Sequence, residues 1–204
     1  MAPRKYEQRL RAETAEETRR RILDAVYERL RTAPTQPVSL DQVAQAARVA
    51  RSTIYLIFGS RAGLFDAVAT DLLYRGGFDQ VLTAVADPDA REHLRGGIRG
   101  GVRAYAAYRD VQRVLYSTAM LDPDAMAGAM QRAESRRAGG IAYLARRLDE
   151  QDLLRPGVTV DEAAHILWLV TSFDAFDVLY SGRGLPVDEV ARLLVATAER
   201  AVCR

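Results

Sequence analysis

Arg51, Ser52, Thr53 and Tyr55 crowd the first five positions of one short stretch, RSTIYLIF, residues 51–58. A guanidinium, two small hydroxyls and a phenol all donate hydrogen bonds to base edges and phosphate oxygens. A short helix lying in the major groove of DNA uses that chemistry. Ser39 and Arg61 mark two further points, each at the expected start of a helix, where free backbone N–H groups favour a phosphate. Competing chemistries lack their parts. The chain has two histidines, His93 and His165, neither at metal-ligand spacing, and one cysteine, Cys203, so neither a disulfide nor a cysteine metal cluster is expected. LRGGIRGG (94–101) is glycine-rich but follows no strand and ends in no Lys-Ser or Lys-Thr pair, which a phosphate loop needs. No catalytic residue, metal or cofactor is therefore expected.

The donors must be held by the surrounding stretch, VSLDQVAQAARVARSTIYLIF (38–58). Ser39 is placed to cap the N–H of Gln42, Gln42 to reach back to Ser39, and Val38 to pack on Val43, which predicts a helix from Leu40. Leu40, Val43, Ala44 and Ala47 recur at helical spacing. The pattern breaks at Arg48, Val49 and Ala50, then resumes at Ile54, Ile57 and Phe58. This is helix, tight turn, helix, whose second member places its first residues against base edges. Upstream, Ile22, Leu23, Val26, Tyr27 and Leu30 give a helix from about Ala15 to Arg31 with one face for packing. The two prolines of Ala33 to Pro37 stiffen the loop that follows. Downstream, Ser60 caps a helix that starts at Arg61 and runs on through Leu64, Phe65, Val68, Leu72 and Leu73.

From Thr18 to Val68 the sequence resembles the amino-terminal DNA-binding domain of the TetR family of bacterial transcriptional repressors. TRRRILDAVYERL stands as the first helix, and VSLDQVAQAARVARSTIYLIFGSRAGLFDAV as the helix-turn-helix with the start of the fourth helix. The resemblance implies that Thr53 and Tyr55 contact phosphates or bases, and that Arg51 and Arg61 stand where the family has lysines facing DNA. It also implies a carboxy-terminal ligand and dimerisation domain. The sequence departs from the family at Arg48, which replaces a turn glycine, at Ala50, which replaces a capping serine, and at Leu56 and Ile57, which replace polar or aromatic residues.

In a chain of 204 residues, 49% of them apolar, a core is affordable and one or two domains fit. Charge is distributed unevenly. Met1 to Arg61 holds 12 Lys plus Arg against 7 Asp plus Glu, a net +5, and the remainder holds 17 against 20, a net −3. The basic excess lies where the reading residues lie, which supports DNA as partner. From the charged start and the absence of an apolar run of ~18 residues, a cytoplasmic protein with no membrane partner is expected.

Past Phe78 the chain reads as helix throughout, with breaks at Asp87 to Asp89, around Asp110, at Asp122 to Asp124, at Pro156 to Thr159 and at Gly182 to Pro186. Thr159 and Glu162 form a capping box that opens an apolar helix over 160–180. The expected fold is all-α: a flexible basic arm (1–14), a helix-turn-helix domain (15–71) and, through the fourth helix, a ligand-binding and dimerisation domain (72–204). Tyr105, Tyr108, Tyr116, Met120, Met126, Met130, Tyr143, Trp168 and Phe173 are the candidate lining of a site for a small apolar effector, with His165 and Asp174 as inward polar groups. The glycine pairs 96–97, 100–101 and 139–140 mark either close helix packing or a hinge. Leu167, Val170, Thr171, Asp174 and Val178, with Val190, Leu193, Leu194, Thr197 and Ala201, form two stripes suited to a four-helix homodimer interface. The expected function is a homodimeric, effector-released repressor on a palindromic operator. The alternative is a helix-turn-helix DNA-binding protein without small-molecule control, constitutive or architectural.

Overall fold

A computed structural model describes residues 3–121 and 128–204, with side chains from residue 13 onward. Eleven helices follow one another among the described residues: α1 (Pro3–Thr32), α2 (Leu40–Ala47), α3 (Arg51–Phe58), α4 (Arg61–Arg75), α5 (Asp79–Val85), α6 (Ala90–Ala107), α7 (Arg109–Leu121), α8 (Ala129–Glu150), α9 (Val160–Val170), α10 (Phe173–Asp177) and α11 (Val187–Val202), with a π-helical turn at Val178–Gly182. The nearest approach to a strand there is an isolated antiparallel bridge between Leu154 and Cys203. The all-helical expectation holds, with an amino-terminal helix-turn-helix and a helical carboxy-terminal part.

Two helices differ from the expected boundaries. The segment expected as a flexible arm, 1–14, is helical from Pro3, and α1 is one helix of 30 residues. Proline is suited to a first helical turn, and no glycine or proline interrupts the chain again before Pro34. The apolar helix expected over 160–180 ends instead at Val170. Arg137 Nη1 donates to the Trp168 carbonyl at 2.9 Å and to Thr171 Oγ1 at 3.0 Å. The Ser172 N–H turns to Leu169, one residue short of the α-helical partner. Ser172 then caps α10, accepting from the Ala175 N–H at 3.1 Å. Thr and Ser side chains that bond local backbone compete with helix continuation in this way.

The chain divides into two compact units, residues 1–69 with 113–130, and residues 70–112 with 131–204. In the first, α1 packs on α2 and α2 on α3. Ile22, Leu23, Val26 and Leu30 of α1, Leu40 and Val43 of α2, Ile54 of α3, and Leu64, Phe65 and Val68 of α4 are all buried, and Tyr27 donates its hydroxyl to the Val68 carbonyl at 3.3 Å. One face of each helix supplies this core, as the sequence periodicity requires.

In the second unit α6 is central, packed by α5, α10 and α11, with α9 against α10 and α11. Leu94, Ile98 and Val102 of α6, Leu167 of α9, Phe176 of α10, and Val190 and Leu194 of α11 are buried there. A Cβ at Gly96 would come within 2.7 Å of the Ala84 side chain, and one at Gly100 within 2.8 Å of Val81, whereas Gly97, Gly101, Gly139 and Gly140 face no such crowding. Close approach of α5 and α6 therefore accounts for one member of each α6 pair. Arg147 of α8 fastens the α5–α6 connection through the carbonyls of Val85, Asp87 and Pro88.

Candidate nucleic-acid interface

The geometry of α3 follows from the apolar residues it turns inward. Ile54 is fully buried, with Ile57 and Phe58 half-buried beside it. At 100° per residue these fix one side of the eight-residue helix, so Ser52 and Leu56 point the opposite way, flanked by Arg51 and Tyr55 on one side and Thr53 on the other. Arg51, Ser52, Tyr55 and Leu56 are exposed and Thr53 is half-buried. The turn before α3 is tight because Arg48 takes a left-handed conformation, φ 54° and ψ 49°, which costs a non-glycine residue about 1–2 kcal/mol. Its N–H bonds Gln45, and that of Val49 bonds Ala44, closing α2.

Helix starts lie around this surface. Ser39 occupies the extended position before α2, and its hydroxyl makes no capping bond, contrary to the expected reciprocal cap with Gln42. Ala50 precedes α3 with no side-chain cap, so neither Ser39 nor Ala50 uses a side chain to satisfy the first N–H groups. Ser60 does cap α4, accepting from the Gly63 N–H at 3.0 Å. Helix ends with uncapped N–H groups are suited to anionic oxygens.

The electrostatics add a feature the sequence did not reveal. Arg51 Nη1 lies 3.1 and 3.0 Å from the two carboxylate oxygens of Asp41 on α2, and its guanidinium stands 5.9 Å from the Tyr55 ring centre. The Tyr55 hydroxyl and then Asp41 raise the Arg51 pKa above its already high value, so it is cationic throughout the ordinary pH range. Both members of the ion pair are exposed. Pairs of that kind are weak and break readily, so Arg51 is tethered without being sequestered. Arg19 of α1 lies over the Phe58 ring at 5.4 Å, and Arg61 over Phe65 at 5.2 Å. Arg20 and Arg21 are exposed. The proximity of Asp41 to Arg51 carried one sequence signal, opposite charges ten residues apart across a short turn, and the exposure of Leu56 carried another, its place opposite Ile54, Ile57 and Phe58 on the helix.

Comparison with known proteins bears directly on this segment. The sequence profile described as bacterial regulatory proteins, tetR family, matches residues 22–68. A TetR-like transcriptional regulator from Rhodococcus sp. RHA1 is 26% identical, aligns over 90% of this chain and 94% of its own, and superposes with a TM-score of 0.63. Residues 22–68 carry the signature of the tetR family of bacterial regulatory proteins.

Members of this family are DNA-binding transcriptional regulators and not enzymes. The fold likeness extends to NalD, the secondary repressor of the MexAB-OprM multidrug efflux pump in Pseudomonas aeruginosa, at 24% identity over 94% of this chain and 98% of that one, with a TM-score of 0.70. A protein from Saccharomonospora viridis, solved in complex with choline, is 22% identical over 93% and 99% of the two chains, with a TM-score of 0.68. No match is found among curated proteins. Among the described residues no helix is long and apolar enough to cross a membrane.

The residues expected to line an effector site are distributed between the two units. Tyr116, Met120 and Met130 belong to the first, and Tyr105, Tyr108, Tyr143, Trp168 and Phe173 to the second. Met126 lies outside the described residues. Tyr105 and Phe173 come together, ring centres 5.5 Å apart, in a cluster with Phe176 and Tyr180. Met130 is buried and Tyr108 and Tyr116 are half-buried. Met120, Tyr143 and Trp168 are exposed. Arg137 covers the Trp168 ring at 5.2 Å, and Tyr143 lies beside His93 and Arg147.

His165 and Asp174, expected to point inward, are exposed, because α9 buries Ala163, Leu167 and Val170 instead, and α10 buries Phe173, Phe176 and Asp177. Leu167, Val170, Val190 and Leu194 of the expected dimer stripes are core residues of one chain, where α9 packs on α11. The apolar side chains left outward on this part are Trp168, Leu169 and Val178.

Proposed function

We propose that this regulator is a repressor that binds a palindromic operator as a homodimer and is released by a small apolar effector. The observation that carries the reading is the outward face of α3, where Arg51, Ser52 and Tyr55 are exposed and Thr53 is half-buried; it supports Arg51, Ser52 and Thr53 as contacts to base edges, and Tyr55, with Arg61 and Ser39 at neighbouring helix starts, as contacts to phosphates. One eight-residue helix makes few base contacts, so a two-fold dimer reading two half-sites ~34–36 Å apart supplies the missing specificity. Trp168, Leu169 and Val178 offer that dimer exposed apolar anchors, of the kind that association surfaces use. Repression accords with what NalD does, and a small-molecule effector with the choline complex of the S. viridis protein. The division assigned to function is 15–71 for DNA and 72–204 for effector and dimer.

Selection of duplexes from a random pool, followed by a screen of small molecules for release, tests the reading. It expects a pseudo-palindromic sequence and at least one compound that lowers the affinity. A 100-fold release requires a differential of about 2.7 kcal/mol between binding states. A selected duplex that no compound releases would instead favour the constitutive or architectural alternative.

A further inference from the structure

We propose that Leu56 is a specificity residue of the reading helix, packing against the C5-methyl group of a thymine in each half-site. The inference rests on α3 lying in the major groove, as set out above. Leu56 is 85% exposed. A lone exposed leucine is ordinary on a protein surface, and it is the placement of this one that is informative. Ser52 and Leu56 are one helical turn apart on the side of α3 opposite the buried Ile54, so they point most directly away from the core. Any duplex that Ser52 reaches therefore also meets Leu56. The two lie about 6 Å apart along the helix axis, within two base-pair steps of 3.4 Å.

A leucine has neither donor nor acceptor, so it cannot read the polar edge of a base or hold a phosphate. The thymine methyl is the apolar group that a native major groove presents. Arg51, Thr53 and Tyr55 surround Leu56 with groups that do bond polar atoms, which anchors the helix while Leu56 discriminates. An A·T pair, with thymine on the contacted strand, should therefore occupy the position that Leu56 meets. Guanine or cytosine there would leave the leucine against polar edges.

The test uses the duplex that the full-length protein selects from a random pool, remade with each thymine in turn replaced by deoxyuridine. That exchange removes one methyl group and alters no hydrogen-bonding atom. The expected result is one symmetry-related pair of positions at which the replacement weakens binding about fourfold per half-site, the worth of one buried methyl at ~0.8 kcal/mol. Leu56→Ala should bind the thymine duplex more weakly and lose sensitivity at that pair alone, whereas Leu56→Met, which remains apolar, should keep it. The proposal is overturned if deoxyuridine has no effect anywhere on the native protein, or if Leu56→Ala retains the full pattern of sensitivities. An equal loss by Leu56→Ala on every duplex, selected or scrambled, overturns it as well. Failure to select any duplex removes the placement of α3 itself, a different and recognisable outcome.

Discussion

If Arg51 reads DNA as proposed, Asp41 competes with the duplex for it. The carboxylate sits about 3 Å from the guanidinium on a surface that would face phosphates, where a negative charge is repelled. Asp41→Asn is therefore expected to tighten binding to all duplexes, about two- to fivefold at low salt, by freeing the arginine and removing the repulsion. Arg51→Ala should weaken the selected duplex about tenfold and relax preference at one base position. Fluorescence anisotropy on selected and scrambled duplexes checks both. An equal loss on both duplexes would make Arg51 a phosphate contact. The sequence disclosed some single-residue roles because they depend on neighbours three or four positions away. The Ser60 cap, the Thr159 cap and the left-handed Arg48 are of this kind. The partner of Arg51 depends on how α2 and α3 cross, which local periodicity does not give, and nothing in the structure explains the idle hydroxyl of Ser39.

Two contacts between helices give tests at the next scale. A methyl at Gly100 would press on Val81 Cγ2 at 2.8 Å and on its backbone nitrogen at 3.0 Å, whereas Gly101 has open space. Gly100→Ala should cost about 1–3 kcal/mol by overpacking, and Gly101→Ala should add about 0.5–1 kcal/mol by removing a flexible residue from a helix. Denaturant unfolding separates the two signs.

The second contact joins α6 to α8. Arg147 Nη1 lies 3.1 Å from His93 Nδ1, and a guanidinium only donates, so Nδ1 accepts and His93 is neutral. Burial first, and the Arg147 charge second, lower the His93 pKa below its ordinary 6.5. The unfolded chain thus takes up the proton more readily than the folded one. The His93 contribution is complete above pH 6.5 and is lost as the pH falls below it. The melting temperature should accordingly drop more steeply below pH 6.5 in the native protein than in His93→Gln. Helix periodicity in the sequence located most of these elements. It missed the end of α9, because the group that takes the Trp168 carbonyl comes from α8, more than thirty residues away in the chain.

At the scale of the whole molecule, function was legible mainly through the amino-terminal third. There a short-range pattern, a basic excess and a family profile over 22–68 coincide. The remainder was legible as helix but not as site. Its apolar stripes at Leu167, Val170, Val190 and Leu194 serve the core of a single chain, and periodicity is the same for a core stripe and an interface stripe. Exposure separates them, and it directs the dimer prediction to other residues. Trp168→Ala combined with Leu169→Ser should convert a dimer in light scattering to a monomer at micromolar concentration, with helical content retained. The monomer should bind its half-sites far more weakly.

The central claim, that two copies of α3 read one duplex, is tested most directly by titrating the full-length protein into the selected duplex and a scrambled one at the same salt concentration. The account predicts saturation at two chains per selected duplex and a preference of about a thousandfold or more over the scrambled sequence. Equal affinity for both duplexes, or saturation at a single chain, would contradict it.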